Sequence, residues 1–387
     1  MIYIVRGSDR GAEQIGSKLP TTPQKSWVGT NHFHLWAGDK RTRLEHLDAM
    51  VAANLRVLRI FLLKTYPWDY LEVEDVENPV GVYHSDILDR VDRLMKECYD
   101  RGIKLIVALH DRWSLGAWRT DAYVRKYGIV PTPEQKDHPK NNPDNFYRNE
   151  SAMEDFERRV DHILNHFNGK LGKKWKDLDE VVLAWEPENE PKFDSNPEWL
   201  GRMARRIKYL SPNILVGSGG PEGGGRPPKA AEIVEKAPAI DLLCVHHYGP
   251  NLEHKVLDFT RTAKQHNKRV ILEEFGFRKD DPKRNENYRA TIETCAENDG
   301  IPWMFWSLES DEYEVASGAC LPRRLFKVID ADAVFKLIDL DGNGKINRVE
   351  ANTGFTLFLE ALFSFADQDG DGDITAIEVR DAQAAFE

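Results

Sequence analysis

The sequence predicts an α/β fold, a (β/α)8 TIM barrel, with a small all-α module behind it. Eight short apolar runs alternate with longer amphipathic stretches through roughly the first 300 residues, the signature of βα units. No Gly-x-Gly-x-x-Gly follows the first run, which argues against an open dinucleotide-binding sheet. The charge also breaks. Of the formal net charge of −11, −9 falls between Val328 and Glu387, where 13 Asp or Glu face four Lys or Arg, and only −2 remains for the first 327 residues. The expected division is therefore a barrel over residues 1–326 and a second module over 327–387.

The apolar runs come in order at Trp27–Phe33, Leu55–Leu62, Ile103–Leu109, Val181–Trp185, Ile214–Gly217, Leu242–Val245, Val270–Leu272 and Trp303–Trp306. Each is short and continuous, as a parallel strand buried on both faces must be. Between them, Arg41–Ala53, Ser85–Arg101, Glu150–Asn168, Pro197–Leu210 and Asn285–Asn298 carry helical spacing, with Ser85 and Asn149 as N-caps.

Composition narrows the function. No stretch approaches the ~18 uninterrupted apolar residues of a membrane-spanning helix. A net acidic chain lacks the clustered Lys and Arg from which phosphate-backbone affinity comes, so nucleic acid is not an expected partner. Cys98, Cys244, Cys295 and Cys320 form no CxxC pair, so zinc and dithiol chemistry have no support. The start, Met-Ile-Tyr-Ile-Val-Arg-Gly, has no basic stretch followed by an apolar one, so a signal peptide is expected to be absent or already removed.

A barrel puts its chemistry at the C-terminal ends of its strands. There the chain carries Asn31, Arg59, His110, Glu190, His246, Glu274 and Trp306. Strand four runs out into Trp185-Glu186-Pro187-Glu188-Asn189-Glu190-Pro191, and strand seven into Leu272-Glu273-Glu274-Phe275-Gly276. Two carboxylates across a barrel mouth suit glycoside hydrolysis: one protonates the leaving oxygen, the other attacks or activates water.

The motif set resembles the retaining glycoside hydrolases of family 5, in the 4/7 superfamily. The resemblance rests on Asn189-Glu190-Pro191, Glu274-Phe275-Gly276, Arg59 closing the strand-two run, His246 and Tyr248 two apart after strand six, and Trp306 on strand eight. Within that family the chain is most similar to β-mannanases, through Trp27-Val28-Gly29-Thr30-Asn31, Ala184-Trp185-Glu186, Pro212 to Ser218 and Ile271 to Gly276. It departs where mannanases commonly have Asn-Asn-Trp after strand three, reading Asp111-Arg112-Trp113, and where Pro187-Glu188 precedes Asn189.

The resemblance implies Glu274 as nucleophile and Glu190 as acid/base. Alternation lets only one of Glu273 and Glu274 face the mouth, and the family pattern selects Glu274. Arg59 and the Tyr248 hydroxyl are expected to favour the Glu274 carboxylate, and the neighbouring negative charge to keep a proton on Glu190. Asn189, His246, His110 and Trp113 are expected to line the sugar subsites, with Trp306 as the stacking floor. Trp36, Tyr66, Trp68 and Trp118 are further candidates for the cleft walls.

The acidic end carries an independent signal. Asp339, Asp341, Asn343, Lys345 and Glu350 fall at positions 1, 3, 5, 7 and 12 of a calcium loop, with Gly344 at 6 and Ile346 at 8. Asp367, Asp369, Asp371, Asp373 and Glu378 repeat it, with Gly372 and Ile374. Lys345 and Asp373 would ligate through backbone carbonyls. Phe335 and Phe363 stand four residues ahead of the loops, in the entering helices. The pattern resembles an EF-hand pair holding two structural Ca²⁺, none needed for catalysis.

The leading expectation is a secreted, monomeric retaining endo-1,4-β-mannanase with a calcium-binding module. A β-1,4-glucanase or an exo-β-mannosidase would share the catalytic pair. A calcium-dependent carbohydrate-binding protein on an inactive barrel is the non-enzyme alternative. The expected partner is β-mannan or a related polysaccharide.

Overall fold

A computed structural model describes residues 28–63, 75–115, 121–129, 144–223, 227–249, 252–278, 280–298, 300–308, 345–347 and 373–375. The chain separates into two compact units, the larger carrying all eight barrel strands and the smaller the two short segments near 345 and 373.

The strands are β1 Val28–Asn31, β2 Val57–Phe61, β3 Lys104–Ala108, β4 Val182–Glu186, β5 Leu215–Val216, β6 Leu242–His246, β7 Arg269–Phe275 and β8 Trp303–Phe305. They lie within the apolar runs or one to three residues beyond them. Their order is β5-β4-β3-β2-β1-β8-β7-β6, all parallel. The ring closes between β5 and β6 through a bridge at Gly217 and Leu242, with Ser218 N donating to Leu242 O at 3.0 Å and Asp241 N to Val216 O at 2.8 Å.

Val57, Ile106, Ala184, Leu215, Leu242, Cys244, Ile271 and Met304, drawn from seven of the strands, pack together as one buried cluster. Burying a side chain of Leu or Ile size contributes about 1.5–3 kcal/mol, so this cluster anchors the strands. The surrounding helices are α1 Lys40–Ala52, α2 Ser85–Asp100, α3 Glu150–Asn165, α4 Pro197–Leu210, α5 Ala230–Lys236, α6 Leu252–His266 and α7 Arg284–Glu297. In α2, Ile87, Leu88, Val91, Leu94, Met95 and Cys98 form one buried stripe at helical spacing.

Some expectations change. Asn149 does cap α3, accepting from Ala152 N, but Ser85 is the first helical residue and His84 occupies the cap without a side-chain bond. Helix α3 ends at Asn165, because Phe167–Asn168 pairs antiparallel with Lys173–Lys174 in a small hairpin. Cys98, Cys244 and Cys295 are buried free thiols, while Cys320 lies outside the described residues.

In the smaller unit, Lys345–Asn347 and Asp373–Thr375 form an antiparallel ladder: Lys345 opposite Thr375, Ile346 opposite Ile374, Asn347 opposite Asp373. The expected all-α pair thus contains a short two-stranded ladder at the middle of its loops. The other candidate ligands, Asp339, Asp341, Asn343, Glu350, Asp367, Asp369, Asp371 and Glu378, lie outside the described residues, as do Phe335 and Phe363.

Candidate active site

The ends of β1, β4 and β7 converge on one buried guanidinium, carried at the middle of β2. Arg59, fully buried, donates through Nη1 to Glu274 Oε1 at 2.5 Å and Asn31 Oδ1 at 3.4 Å, through Nη2 to Asn189 Oδ1 at 2.9 Å, and through Nε to Glu186 Oε2 at 2.9 Å. A guanidinium can serve four acceptors because its N–H groups are fixed in one planar fork. Asn189 is held from the other side, its Nδ2 donating to Asp111 Oδ1 at 2.9 Å.

Glu190 and Glu274 meet across His246. The imidazole Nδ1 lies 3.0 Å from Glu190 Oε1 and 3.5 Å from Glu274 Oε2, and all three groups fall within 4.8 Å of one another. Tyr248 donates its hydroxyl to Glu274 Oε2 at 2.9 Å. Trp113 Nε1 donates to Glu190 Oε2 at 2.8 Å, and Arg112 Nη2 reaches the same oxygen at 3.3 Å.

Glu190 stands at φ +48°, in the left-handed region that costs a non-glycine residue about 1–3 kcal/mol. Its neighbour strand must therefore hold it. Glu190 N donates to Gly219 O at 2.6 Å. Gly219 and Gly220 both have positive φ, and a Cβ on them would lie 2.0 Å from Glu188 O and 2.4 Å from the His246 ring, respectively. Glycine is required at both on conformation and on space.

Charges distribute differently from the sequence expectation. Burial alone would raise the Glu190 pKa. The hydrogen bond and charge of His246, the charge of Arg112 and the Trp113 N–H outweigh it and hold Glu190 at about 2. Burial pushes the Glu274 carboxyl up; His246, Arg59 and Tyr248 pull it back, and the charge of Glu190 adds to the rise. His246 is raised to about 10 against its burial by Glu274, Glu190 and Glu273. Without substrate, then, the proton expected on Glu190 resides on His246, because three donors converge on one carboxylate.

Alternation along β7 does not hold at its end. The register against β6 shifts between Val245 and His246, and against β8 between Trp303 and Phe305. Both acidic residues consequently turn inward: Glu273 Oε2 lies 3.0 Å from His246 Nε2 and 3.5 Å from Arg59 Nε, deeper than Glu274. Burial and the charge of Glu273 push the Glu186 carboxyl well above its ordinary range against the pull of Arg59, while Arg59 and His246 hold Glu273 down at about 2 against burial.

Other candidates separate by exposure. Tyr248 is 43% exposed and Trp113 half-buried, so both border the cleft. Trp306 is half-buried and stacked on Phe33 at 5.3 Å between centroids, and the peptide after it is cis. His110 instead lies beneath the site, fully buried, with Nδ1 2.6 Å from Glu188 Oε1 and Nε2 2.5 Å from Asp121 Oδ2. Both ring nitrogens are engaged, so it is no subsite wall. Burial opposes its proton, but Asp121 and Glu188 raise its pKa to about 9. Trp36 is likewise packing, its Nε1 donating to Phe61 O at 2.8 Å in full burial. Tyr66, Trp68 and Trp118 lie outside the described residues.

Sequence reading missed this supporting layer. Tyr147 donates its hydroxyl to Glu188, whose backbone neighbour Asn189 donates its N–H to His110 O at 2.9 Å. Asp121 caps the short helix Ala122–Tyr127, accepting from Tyr123 N at 2.6 Å. The signals available were Glu188 inside the strand-four motif and Asp121 at a helix start.

The family described as Cellulase (glycosyl hydrolase family 5) matches residues 16–312, and the EF hand family matches 331–350 and 359–381. Mannan endo-1,4-beta-mannosidase 7 of Arabidopsis thaliana is 24% identical over 230 residues, 51% of this chain and 51% of that protein. Mannan endo-1,4-beta-mannosidase 7 of Oryza sativa subsp. japonica is 24% identical over 250 residues, 57% of this chain and 61% of that protein. The chain thus spans about half the length of these curated relatives. The endo-1,4-beta-mannanase structure from Rhizomucor miehei superposes with a TM-score of 0.61 at 23% identity, covering 76% of this chain and 91% of that one, a likeness of fold. With a family match across most of its length and a barrel mouth built around paired carboxylates, the chain belongs to glycosyl hydrolase family 5.

Proposed function

We propose that the protein is a retaining endo-1,4-β-mannanase with a calcium-binding module. The observation that carries the retaining mechanism is the spacing of Glu190 and Glu274, whose carboxyl oxygens lie within 4.8 Å of each other. Retaining enzymes hold their carboxyl groups about 5–5.5 Å apart, whereas inverting ones leave about 6.5–9.5 Å for a water. The mannan backbone is supported by the names of the relatives and the motif likeness around both carboxylates.

In this reading Glu274 attacks the anomeric carbon while Glu190 passes its proton to the departing glycosidic oxygen. A covalent glycosyl ester on Glu274 forms, and water, deprotonated by Glu190, releases the sugar with retained configuration. Arg59 and Tyr248 fix the attacking carboxylate at 2.5 and 2.9 Å. For the first step Glu190 must gain a proton. His246 Nδ1, at 3.0 Å and protonated, is the adjacent source once substrate displaces the other donors.

The calcium reading rests on the donor set and on the ladder. Positions seven to nine of one loop pair with nine to seven of the other, the twofold arrangement of two equivalent loops side by side. Oxygen-rich 12-residue loops with Glu at the last position suit a hard cation. Bound calcium would screen the loops' carboxylates from one another.

Reducing-sugar release from mannan, cellulose and mixed-linkage glucan, measured side by side, tests the function. Faster release from mannan is expected; faster hydrolysis of carboxymethylcellulose than of glucomannan or galactomannan would replace the mannanase reading with a glucanase.

A further inference from the structure

We infer that Arg112 is a recognition site for a carboxylate carried on the leaving side of the scissile bond, so that the preferred substrate is a uronate-bearing β-mannan. This rests on the reading of Glu190 as the acid.

Among the described residues, Arg59, Arg159 and Arg112 differ in how they are satisfied. Arg59 spends Nε and both Nη groups on side-chain oxygens between 2.5 and 3.4 Å. Arg159 spends the same three groups on the backbone carbonyls of Leu109 and Leu62 and on Glu77 Oε2. Arg112, with a side chain 11% exposed, has one side-chain partner among the described residues, Glu190 Oε2 at 3.3 Å, and its Nε is buried with no acceptor. A largely buried guanidinium whose Nε–H is buried without an acceptor is costly to maintain without a ligand.

Its setting is that of a preformed fork. Arg112 N donates to Asn189 O at 3.2 Å, which pins the backbone to the catalytic loop. The guanidinium lies over the Trp113 ring, 4.9 Å from its centroid, which restricts its plane. A planar fork with free donors matches a planar carboxylate through two parallel bonds, whereas a sugar hydroxyl offers one acceptor atom.

Position assigns the sugar. Glu190 Oε1 turns to His246 and through it to Glu274; Oε2 turns the other way, to Trp113 and Arg112. The reacting sugar must sit against Glu274, so Arg112 stands beyond the acid, beside the departing sugar. The remaining charges allow an anion there. Lys255 Nζ is tied to His246 O at 2.6 Å, and burial, with the charge of Glu190, raises the Glu222 carboxyl towards its neutral form. A substrate carboxylate would also draw Arg112 off Glu190, removing one of the groups that keep it ionised.

The test uses linear β-1,4-mannan and the same mannan partly oxidised at C6 to uronate, with an equivalent cellulose pair. The wild type should show kcat/KM higher on oxidised than on neutral mannan by about tenfold or more. Arg112→Gln should bring that ratio close to one, and Arg112→Lys, a point charge without the fork, should fall between. Equal or faster hydrolysis of neutral mannan by the wild type, or a preference that survives in Arg112→Gln, would overturn the inference. Hydrolysis confined to the cellulose pair would sink the mannanase reading, and the oxidised-to-neutral ratio within that pair would then decide the carboxylate site. If no polymer is cleaved, calorimetric binding of oxidised and neutral mannopentaose to Glu274→Gln decides it. Tighter, Arg112-dependent binding of the oxidised sugar upholds the site, and equal binding removes it.

Discussion

Glu190 and Glu274 present carboxyl oxygens within 4.8 Å of each other, with His246 Nδ1 3.0 Å from one and 3.5 Å from the other. Their division of labour is testable. Glu190→Gln and Glu274→Gln should each abolish mannan hydrolysis, the first by about 10²–10⁴ from lost proton transfer. On an activated aryl glycoside, whose leaving group needs little protonation, Glu190→Ala should retain partial activity and be rescued by azide. NMR should identify a β-glycosyl azide, the product of attack on the Glu274 ester. Near-normal turnover by Glu274→Gln would overturn the nucleophile assignment.

Trp113 adds one N–H at 2.8 Å to the His246 and Arg112 groups that hold Glu190 in its ionised form. Trp113→Phe keeps the ring and deletes the donor, so the carboxylate loses stabilisation and the Glu190 pKa rises. The free enzyme keeps the proton on His246, so the change is read on Glu190 itself: its carboxyl should titrate at higher pH in Trp113→Phe than in the wild type, followed by 13C NMR of the labelled side chain. An unmoved titration would show that the other donors alone set it.

Gly220 admits no side chain, since a Cβ would sit 2.4 Å from the His246 ring at φ +64°. Gly220→Ala should displace His246 and with it both carboxylates. The expected result is a fall in kcat well beyond any change in KM, with about 1–3 kcal/mol lost in urea unfolding. Wild-type kcat in this variant would show that the imidazole position is immaterial.

His110 joins the protein's pH response to its stability. Its folded pKa, about 9, lies above the ordinary 6.5, so the stability it contributes is full below about pH 6.5 and is lost as pH rises through about 9. The melting temperature should fall across that window. His110→Ala leaves Glu188 and Asp121 buried without their shared partner, at a cost of about 3–5 kcal/mol, and should flatten the pH dependence. A variant with an unchanged slope would assign that dependence elsewhere.

Calcium should act on stability and not on the reaction, because the candidate loops share no residue with the catalytic set. At 100 times its Kd each site adds about 2.7 kcal/mol to the unit that binds it. EGTA should therefore lower the melting transition of the smaller unit while kcat at 25 °C changes little. A large loss of kcat with an unmoved transition would place a metal in the active site.

Much of the fold was legible because parallel barrel strands are buried on both faces and read as unbroken apolar runs, as at β2 and β3, where Leu58, Ile60, Leu105 and Val107 have no exposed surface. The strand-end positions of His246 and Glu274 and the loop position of Glu190 followed from those runs, whereas Arg59 stands at the middle of β2 and not at its end. What stayed illegible depends on contacts between distant segments. A register shift at the end of β7 brings Glu273 inward beside Glu274, and no local pattern encodes it. The burial of His110 depends on Glu188 and Asp121, 78 and 11 residues away in sequence. The protonation pattern inverted for the same reason: the donors on Glu190 arrive from β3 and β6, and the sequence reading weighed only the charge of Glu274.

The seam between β5 and β6 has a consequence for how the catalyst is assembled. Arg59, Asn189 and Glu190 belong to the arc running from β1 to β5, and His246, Tyr248 and Glu274 to the arc from β6 to β8. Neither arc holds both candidate carboxylates. The arcs meet at two joins, the β1–β8 ladder and the narrow bridge at Gly217 and Leu242, which lies just below the Gly219–Gly220 turn that supports Glu190 and faces His246. Turnover in this barrel is thus an assay of ring closure. Two fragments cut between β5 and β6 would each be inert, and activity regained on mixing would count the rings that had reformed.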